Sequence, residues 1–197
     1  MTTIRQLDRL WNAKEHSRLV AEIAVGRPEL LAVARHLLGP VAAAAVGVIR
    51  LDELGQAHQP LSGRLIRTLL ASQHEDGSWG DLAVTVLALR ALRCGGGSGQ
   101  AVQRALDFLQ SQQELTGGWP YQPVGRMPPD PLMTAFVLLT LADDPMIAAR
   151  LSFPAAAAWL RGQLARLDAP IRRLAERAIR RVHRDDSGSF FNAANWS

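Results

Sequence analysis

The chain lacks the residues that several common kinds of site require. Its 197 residues include one cysteine, Cys94, so neither an internal disulfide nor a thiolate zinc cluster is possible. The five histidines show no H-E-x-x-H spacing, and the glycine-rich residues 95–99 follow a predicted helix and contain no lysine. A zinc site and a phosphate-binding loop are therefore not expected. No cofactor is predicted.

Long apolar runs are also missing. The most apolar stretch, residues 40–49, is ten residues long and includes four alanines, which is too short to span a membrane. The first residues lack the basic-then-apolar pattern of a signal peptide. The sequence therefore predicts a cytoplasmic protein without a membrane span.

Strand signals are scarce, whereas apolar residues recur at helical spacing along most of the chain. This predicts an all-α fold of antiparallel helical hairpins in a single domain, residues 1–197, with an irregular tail at 185–197. The predicted helices are residues 4–25, a second from Pro28 to residue 38, 41–49, 61–73, 82–93, 101–113, 132–142, 154–167 and 169–183.

Two stretches within residues 61–142 are nearly the same. One reads Leu70-Ala-Ser-Gln-His-Glu-Asp-Gly-Ser-Trp-Gly-Asp81; the other begins Leu109-Gln-Ser-Gln-Gln-Glu-Leu-Thr-Gly-Gly-Trp119 and resumes at Asp130. Each places a Gln at a helix end, then a Gly turn and a Trp, then Asp-x-x-x-Thr before a second apolar helix. Such a repeat predicts hairpins that bury their apolar faces only by stacking on one another.

These Gln…Gly…Trp turns resemble the repeat motif of terpenoid cyclases of the squalene–hopene cyclase type and, more broadly, the prenyltransferase superfamily. The resemblance implies an α/α toroid, here reduced or partial because about four hairpins are counted. It also implies a cyclase or isomerase acting on a hydrophobic isoprenoid or polyene in an apolar cavity. In that family the turns are structural clamps, a role that would fall here to Gln73, Trp79, Gln112 and Trp119.

The residues that follow each turn depart from the family. Protonating cyclases carry Asp-x-Asp-Asp-Thr, whose middle Asp is the acid. Aligning the threonines places that acid at Ala83 and Leu132, so only the first Asp of each motif remains, as Asp81 and Asp130. An alkene requires a strong acid to form a carbocation, and neither aligned position supplies one. Initiation would have to differ.

The segment inserted after Trp119, Pro120-Tyr-Gln-Pro-Val-Gly-Arg-Met-Pro-Pro129, is the least repetitive part of the chain and is the place where a binding face is expected. Asp130 is the candidate catalytic acid at the mouth of a cavity. The candidate substrate-binding residues are Asp81, Tyr121, Arg126, Met127 and Phe136. The simpler interpretations are that Asp81 and Asp130 are helix N-caps and that the insertion is a proline-rich linker.

Eight arginines fall within residues 161–184. They indicate either a solvated outer face or a surface for an anion. No aromatic residue is interleaved with them, so nucleic acid is not an expected partner. Three functions stay open: the enzyme, a non-catalytic small-molecule-binding or partner subunit, and a HEAT-like helical scaffold. An open arc of hairpins would expose apolar surface, so a homodimer is also considered.

Overall fold

Eight α-helices make up the regular structure of the residues that the computed structural model describes, 39–123 and 127–188. They are α1 (Pro40–Glu53), α2 (Pro60–Ala71), α3 (Leu82–Cys94), α4 (Gly99–Ser111), α5 (Pro131–Leu141), α6 (Pro145–Ala148), α7 (Phe153–Gln163) and α8 (Ala169–Gly188). A 3₁₀ turn, Leu164–Arg166, separates α7 from α8. These ranges contain no β-strand, which confirms the all-α prediction. The helices predicted before residue 39 lie outside the described residues.

Proline and aspartate set the starts of most helices. Proline occupies one of the first two positions of α1, α2, α5, α6 and α7, where its missing N–H costs no helical hydrogen bond. The carboxylates of Asp81, Asp130 and Asp144 accept backbone N–H groups at the starts of α3, α5 and α6. These are local signals, and they explain why the predicted helix starts lie close to the observed ones.

The helices form two layers. In the first, α1, α3, α5 and α8 lie side by side in that order, each packed on the next. In the second, α2 packs on α1 and α3, α4 packs on α3, and α7 packs on α5 and α8. Each hairpin thus pairs one helix of each layer, as stacked helical repeats do. The helices of the described ranges form a row, with α1 and α8 at its ends.

The core lies between the layers and is centred on α3 and α5. Every residue of α3 from Leu82 to Leu89 is buried, because helices cover it on several sides. A helix that is apolar all round is expected in such a position. By contrast, α4 buries only one stripe, which includes Ala101, Ala105 and Leu109. Trp119 is completely buried and contacts the core at the centre of the second repeat.

One predicted boundary is wrong. Residues 185–188 were expected in the irregular tail, but α8 continues through Gly188. The predicted end of the last helix was based on apolar periodicity, which stops at Val182, whereas the helical backbone continues beyond that residue. The helix predicted at 132–142 does end at Leu141. Asp144 then caps the short helix α6, and Pro145 occupies its first position. Within the described ranges, no helix is long and apolar enough to cross a membrane.

Candidate functional site

The two Trp-containing turns have the same hydrogen bonds. In the first, the indole N–H of Trp79 donates to the carbonyl oxygen of Leu69 at 2.8 Å. In the second, forty residues later, the indole of Trp119 donates to the carbonyl oxygen of Leu109, also at 2.8 Å. Each indole therefore closes the end of the preceding helix with its one donor, while the ring fills the core.

A threonine fixes the backbone of each tryptophan. The backbone N–H of Trp79 donates to Oγ1 of Thr85 at 3.1 Å, and that of Trp119 donates to Oγ1 of Thr134 at 2.9 Å. Both threonines are fully buried. Since Thr85 belongs to α3 and Thr134 to α5, the hydroxyls tie each turn to the helix that follows it.

The glutamines attach each turn to the next hairpin. Gln73 Nε2 donates to the carbonyl oxygens of Gly77 and Ala101, at 3.0 and 2.9 Å. Gln113 Nε2 likewise donates to those of Gly117 and Ser152, at 2.8 and 3.1 Å. Each glutamine thus links its own turn to the start of the next second-layer helix, α4 or α7. We call these two arrangements the first clamp, residues 73–85, and the second clamp, residues 113–134.

This geometry corrects one predicted residue. Gln112 was assigned to the repeat motif, but its amide donates only to the adjacent Ser111 hydroxyl, at 3.3 Å. Gln113 occupies the position equivalent to Gln73. The two glutamines are adjacent in sequence, and both stand at the end of the helix predicted at residues 101–113. The spacing to the turn glycine would have distinguished them: Gln113 precedes Gly117 by four residues, as Gln73 precedes Gly77.

The turn glycines cannot be replaced without strain. Gly77 and Gly117 have φ of +88° and +92°, in the left-handed region that favours glycine. A Cβ atom at Gly77 would lie 2.3 Å from the carbonyl oxygen of Arg104, and one at Gly117 would lie 2.5 Å from the carbonyl carbon of Ala155. The turns therefore touch the backbone of the neighbouring helix directly.

Asp81 and Asp130 both act as N-caps. Oδ1 of Asp81 accepts the backbone N–H of Val84, and Oδ1 of Asp130 accepts that of Met133, each at 2.7 Å. The two carboxylates are half-buried and their capping geometries are equal. The simpler interpretation of both residues is thus realised in the structure. A catalytic role for Asp130 and a substrate-binding role for Asp81 stay predictions.

The positions where the family's acids would align are apolar and buried. Ala83 and Val84 are 1% and 5% exposed in the first repeat; Leu132 and Met133 are 8% and 0% exposed in the second. Ala83, Val84 and Met133 belong to the packed core. A carboxylic acid placed at any of them would be costly to bury.

The insertion closes at its base. The backbone N–H of Asp130 donates to the carbonyl oxygen of Trp119 at 2.8 Å, and Pro120 and Pro129 form an isolated bridge. The intervening residues therefore leave and re-enter the clamp at one point. This explains how the second clamp keeps its geometry despite nine more residues between its Trp and its Thr than in the first clamp.

The other predicted binding residues are spread over different environments. Tyr121 and Phe136 are half-buried against the core, whereas Met127 is 41% exposed. Arg126 lies outside the described residues. Since Phe136 belongs to α5 and Tyr121 to the insertion, these residues flank the second clamp, but the structure does not place them around the pocket described next.

A pocket of about 280 Å³ opens at the opposite end of α3 and α5 from the clamps. Asp130 begins α5 and the pocket lies beyond its last turn, roughly 16 Å away at the helical rise of about 1.5 Å per residue. The pocket is lined by Arg90, Arg93, Cys94, Thr140, Leu141, Asp143, Asp144, Pro145 and Ile147. Its lining combines charged side chains with apolar ones, Leu141, Pro145 and Ile147.

The charges of this pocket are mostly paired. Arg93 Nε and Nη2 donate to the Asp144 carboxylate at 2.6 and 3.2 Å, and this contact raises the pKa of Arg93 although burial acts in the opposite direction. Arg90 Nη1 donates to the carbonyl oxygen of Thr140 at 2.7 Å. Both arginines therefore join the C-terminal ends of α3 and α5. Asp143 pairs with Arg181 of α8.

Cys94 is the only nucleophilic side chain of the pocket, and it is held as a thiol. Burial, followed by the contact with the Asp52 carboxylate, raises its pKa to about 11. A reactive cysteine requires the opposite environment, one that stabilises the thiolate. No group of three or more potential metal ligands occurs in residues 39–123 and 127–188. Nucleophilic catalysis at Cys94 therefore has no support in the geometry.

No family model, curated protein or solved structure matches this chain. The likeness to terpenoid cyclases thus rests on the two repeats themselves.

Proposed function

We propose that this chain is a helical-repeat binding protein, a partner subunit built on a cyclase-like frame, rather than a catalyst. The observation that carries the proposal is that the motif carboxylates serve as helix caps while the aligned acid positions hold buried apolar side chains. A protonating cyclase requires a proton donor facing its substrate. The motif residues of the two repeats instead hold neighbouring hairpins together.

The use of the remaining motif residues supports the same proposal. Glutamine, tryptophan and threonine side chains of both clamps bind backbone groups of the protein itself. Their hydrogen-bonding groups are therefore occupied with joining hairpins, and a ligand would have to displace them. A frame of this kind positions surfaces, which is how stacked helical repeats bind partners.

The third hairpin differs from the first two. The 3₁₀ turn between α7 and α8 contains neither glycine nor tryptophan, and it keeps the capping aspartate of the motif, Asp168, whose Oδ1 accepts the backbone N–H of Ile171 at 3.2 Å. Within residues 39–123 and 127–188, no clamp follows this hairpin, so α8 is one end of the row of described helices. The exposed arginines of α8 suit the polar outer face that the end of such a row needs.

A product assay separates this proposal from the alternative, a cyclase or isomerase of isoprenoids or polyenes. Full-length protein would be incubated with squalene and with geranyl, farnesyl and geranylgeranyl diphosphates, and the extracts analysed by gas chromatography with mass spectrometry. We expect unchanged substrates, apart from hydrolysis also seen in a heat-denatured sample. A cyclic or rearranged product that forms repeatedly per protein chain would overturn the proposal and support the enzyme.

A further inference from the structure

The arginines of α8 form a row on the outer side of the terminal helix. Arg173, Arg177 and Arg180 are spaced by four and three residues, which places them within about 60° of one another around the helix. All three are exposed. We call Arg173, Arg177 and Arg180 the arginine row; its length is about 10 Å.

The row is not neutralised by its neighbours. Arg173, Arg177 and Arg180 make no ion pair with any described residue, whereas Arg181 pairs with Asp143 and Arg172 binds the carbonyl oxygens of Leu164 and Leu167. The only carboxylate in residues 169–183 is Glu176, which is half-buried beside the row. The arginines that serve the fold are thus different from those that form the row.

A polar outer face on α8 does not require that its charges all have the same sign. Like charges three or four residues apart on a helix destabilise it by about 0.2–0.5 kcal/mol per pair, whereas alternating Glu and Arg would stabilise it. Any mixture of polar residues on the outer face of α8 would also keep this end of the row of helices soluble. The repeated positive charge therefore has a cost to the helix that binding an anionic partner would offset.

The residues around the arginine row limit the classes of partner that it can bind. The exposed large apolar residues of the described ranges are Leu54, Leu115, Met127 and Met146, and none belongs to α8. A helix that binds a membrane surface inserts an apolar face, but the apolar face of α8 is packed on α5 and α7. Single-stranded nucleic acid needs aromatic platforms. Duplex backbones are usually held by about six to ten phosphate contacts, which three arginines do not provide.

We propose that the arginine row binds an acidic segment of a partner protein, with glutamate or aspartate at matching helical spacing. Arginine suits this role because its planar guanidinium binds a carboxylate through two parallel hydrogen bonds. A helix of about seven residues, or about three extended ones, spans the length of the row. The inference rests on the proposed binding function, since it names the partner of that function.

The test uses the full chain and two fluorescent peptides of the same composition. One carries glutamates at successive spacings of four and three residues on an alanine-rich helix; the other has them scrambled. Fluorescence anisotropy at low salt should show that the matched peptide binds at least about threefold tighter, because exposed ion pairs each contribute up to about fivefold in affinity. Affinity should fall as salt rises.

Variants connect this binding to the row. Replacing Arg173, Arg177 and Arg180 together by Gln should weaken binding of the matched peptide by about tenfold or more. Arg177→Gln alone should weaken it by about twofold to fivefold, while Arg67→Gln, an exposed arginine of α2, should not. The single variants keep the test valid if the triple variant fails to fold.

Several outcomes would contradict the inference. Equal affinity for the two peptides, or equal loss with Arg67→Gln, would reduce the effect to net charge. Tighter binding of a duplex DNA of matched charge, lost in the triple variant, would instead assign the row to nucleic acid. Failure of peptide binding in a protein that forms no cyclised product would leave the proposed function in place and remove only this surface. Cyclised product would remove the proposed function itself.

Discussion

The Gln113 side chain binds both backbone groups of Ser152. Its Nε2 donates to the serine carbonyl oxygen and its Oε1 accepts the serine backbone N–H, each at 3.1 Å. The amide therefore pairs with the chain as a neighbouring strand would, at the residue that precedes α7. Because Nε2 also reaches the carbonyl oxygen of Gly117, one side chain joins the second clamp to the third hairpin.

Gln113→Ala is expected to destabilise the protein by about 0.5–1.5 kcal/mol, because it removes hydrogen bonds to backbone groups of Gly117 and Ser152. Gln112→Ala is the matched control and should change the free energy of unfolding by less than about 0.5 kcal/mol. Urea unfolding followed by tryptophan fluorescence measures both. If the two variants lose the same stability, the assignment of Gln113 to the clamp is wrong.

Gly117→Ala should cost more than a positive φ alone. The left-handed conformation costs an L residue about 1–2 kcal/mol, and at Gly117 the new Cβ would also clash with the backbone of Ala155. Gly96 has φ of +67° and no heavy atom within 4 Å of its Cβ position, so Gly96→Ala isolates the conformational cost. We expect Gly117→Ala to lower the melting temperature clearly more than Gly96→Ala. Similar shifts in melting temperature for the two variants would mean that the turn accommodates the new Cβ atom at no further cost in stability.

The local parts of this fold were predictable from sequence. Asp81 and Asp130 stand before apolar helices with a threonine four residues on, and both form the caps that this spacing indicates. Trp79 and Trp119 were recognised as clamps because the repeat preserves their surroundings. The wrong assignment of Gln112 in place of Gln113 occurred where two glutamines are adjacent; the four-residue spacing to Gly117 and the hydrogen bonds both identify Gln113.

The long-range parts were not predictable. In the pocket, the guanidinium of Arg93 in α3 binds the carboxylate of Asp144, which caps α6 and lies fifty-one residues further along the chain. The sequence shows two ordinary helix ends there. Similarly, the arginines of α8 read as one cluster, and only the contacts separate Arg181, which pairs with Asp143, from Arg177, which has no ion pair among the described residues. Such distinctions depend on which elements pack together, and a single sequence does not contain that information.

Asp130→Asn and Asp81→Asn form a pair that tests the catalytic prediction. An asparagine oxygen can accept the same backbone N–H, so each variant should keep its stability within about 0.5 kcal/mol, whereas each Ala variant should lose about 1 kcal/mol. We expect both Asn variants to behave alike in ligand binding and in the product assay. If turnover exists and only Asp130→Asn abolishes it, Asp130 is an acid as well as a cap.

Cys94 should react slowly with iodoacetamide. At pH 8 its thiolate population is lower than that of a cysteine with the ordinary pKa of 9.0, because burial and Asp52 raise the pKa to about 11. The alkylation rate of the folded protein should therefore keep rising to about pH 11, while that of the urea-unfolded protein should level off near pH 9.

The same shift makes the stability of the protein depend on pH in one direction. The folded state holds the Cys94 proton more tightly than the unfolded state does, so this contribution to stability is fully present below about pH 9. It is lost as the pH rises through about 11, and unfolding should become easier across that window. Asp52→Asn removes the adjacent negative charge and should move the alkylation midpoint to lower pH, while Glu53→Gln, on the neighbouring residue, should not. An unchanged midpoint in Asp52→Asn would assign the whole shift to burial.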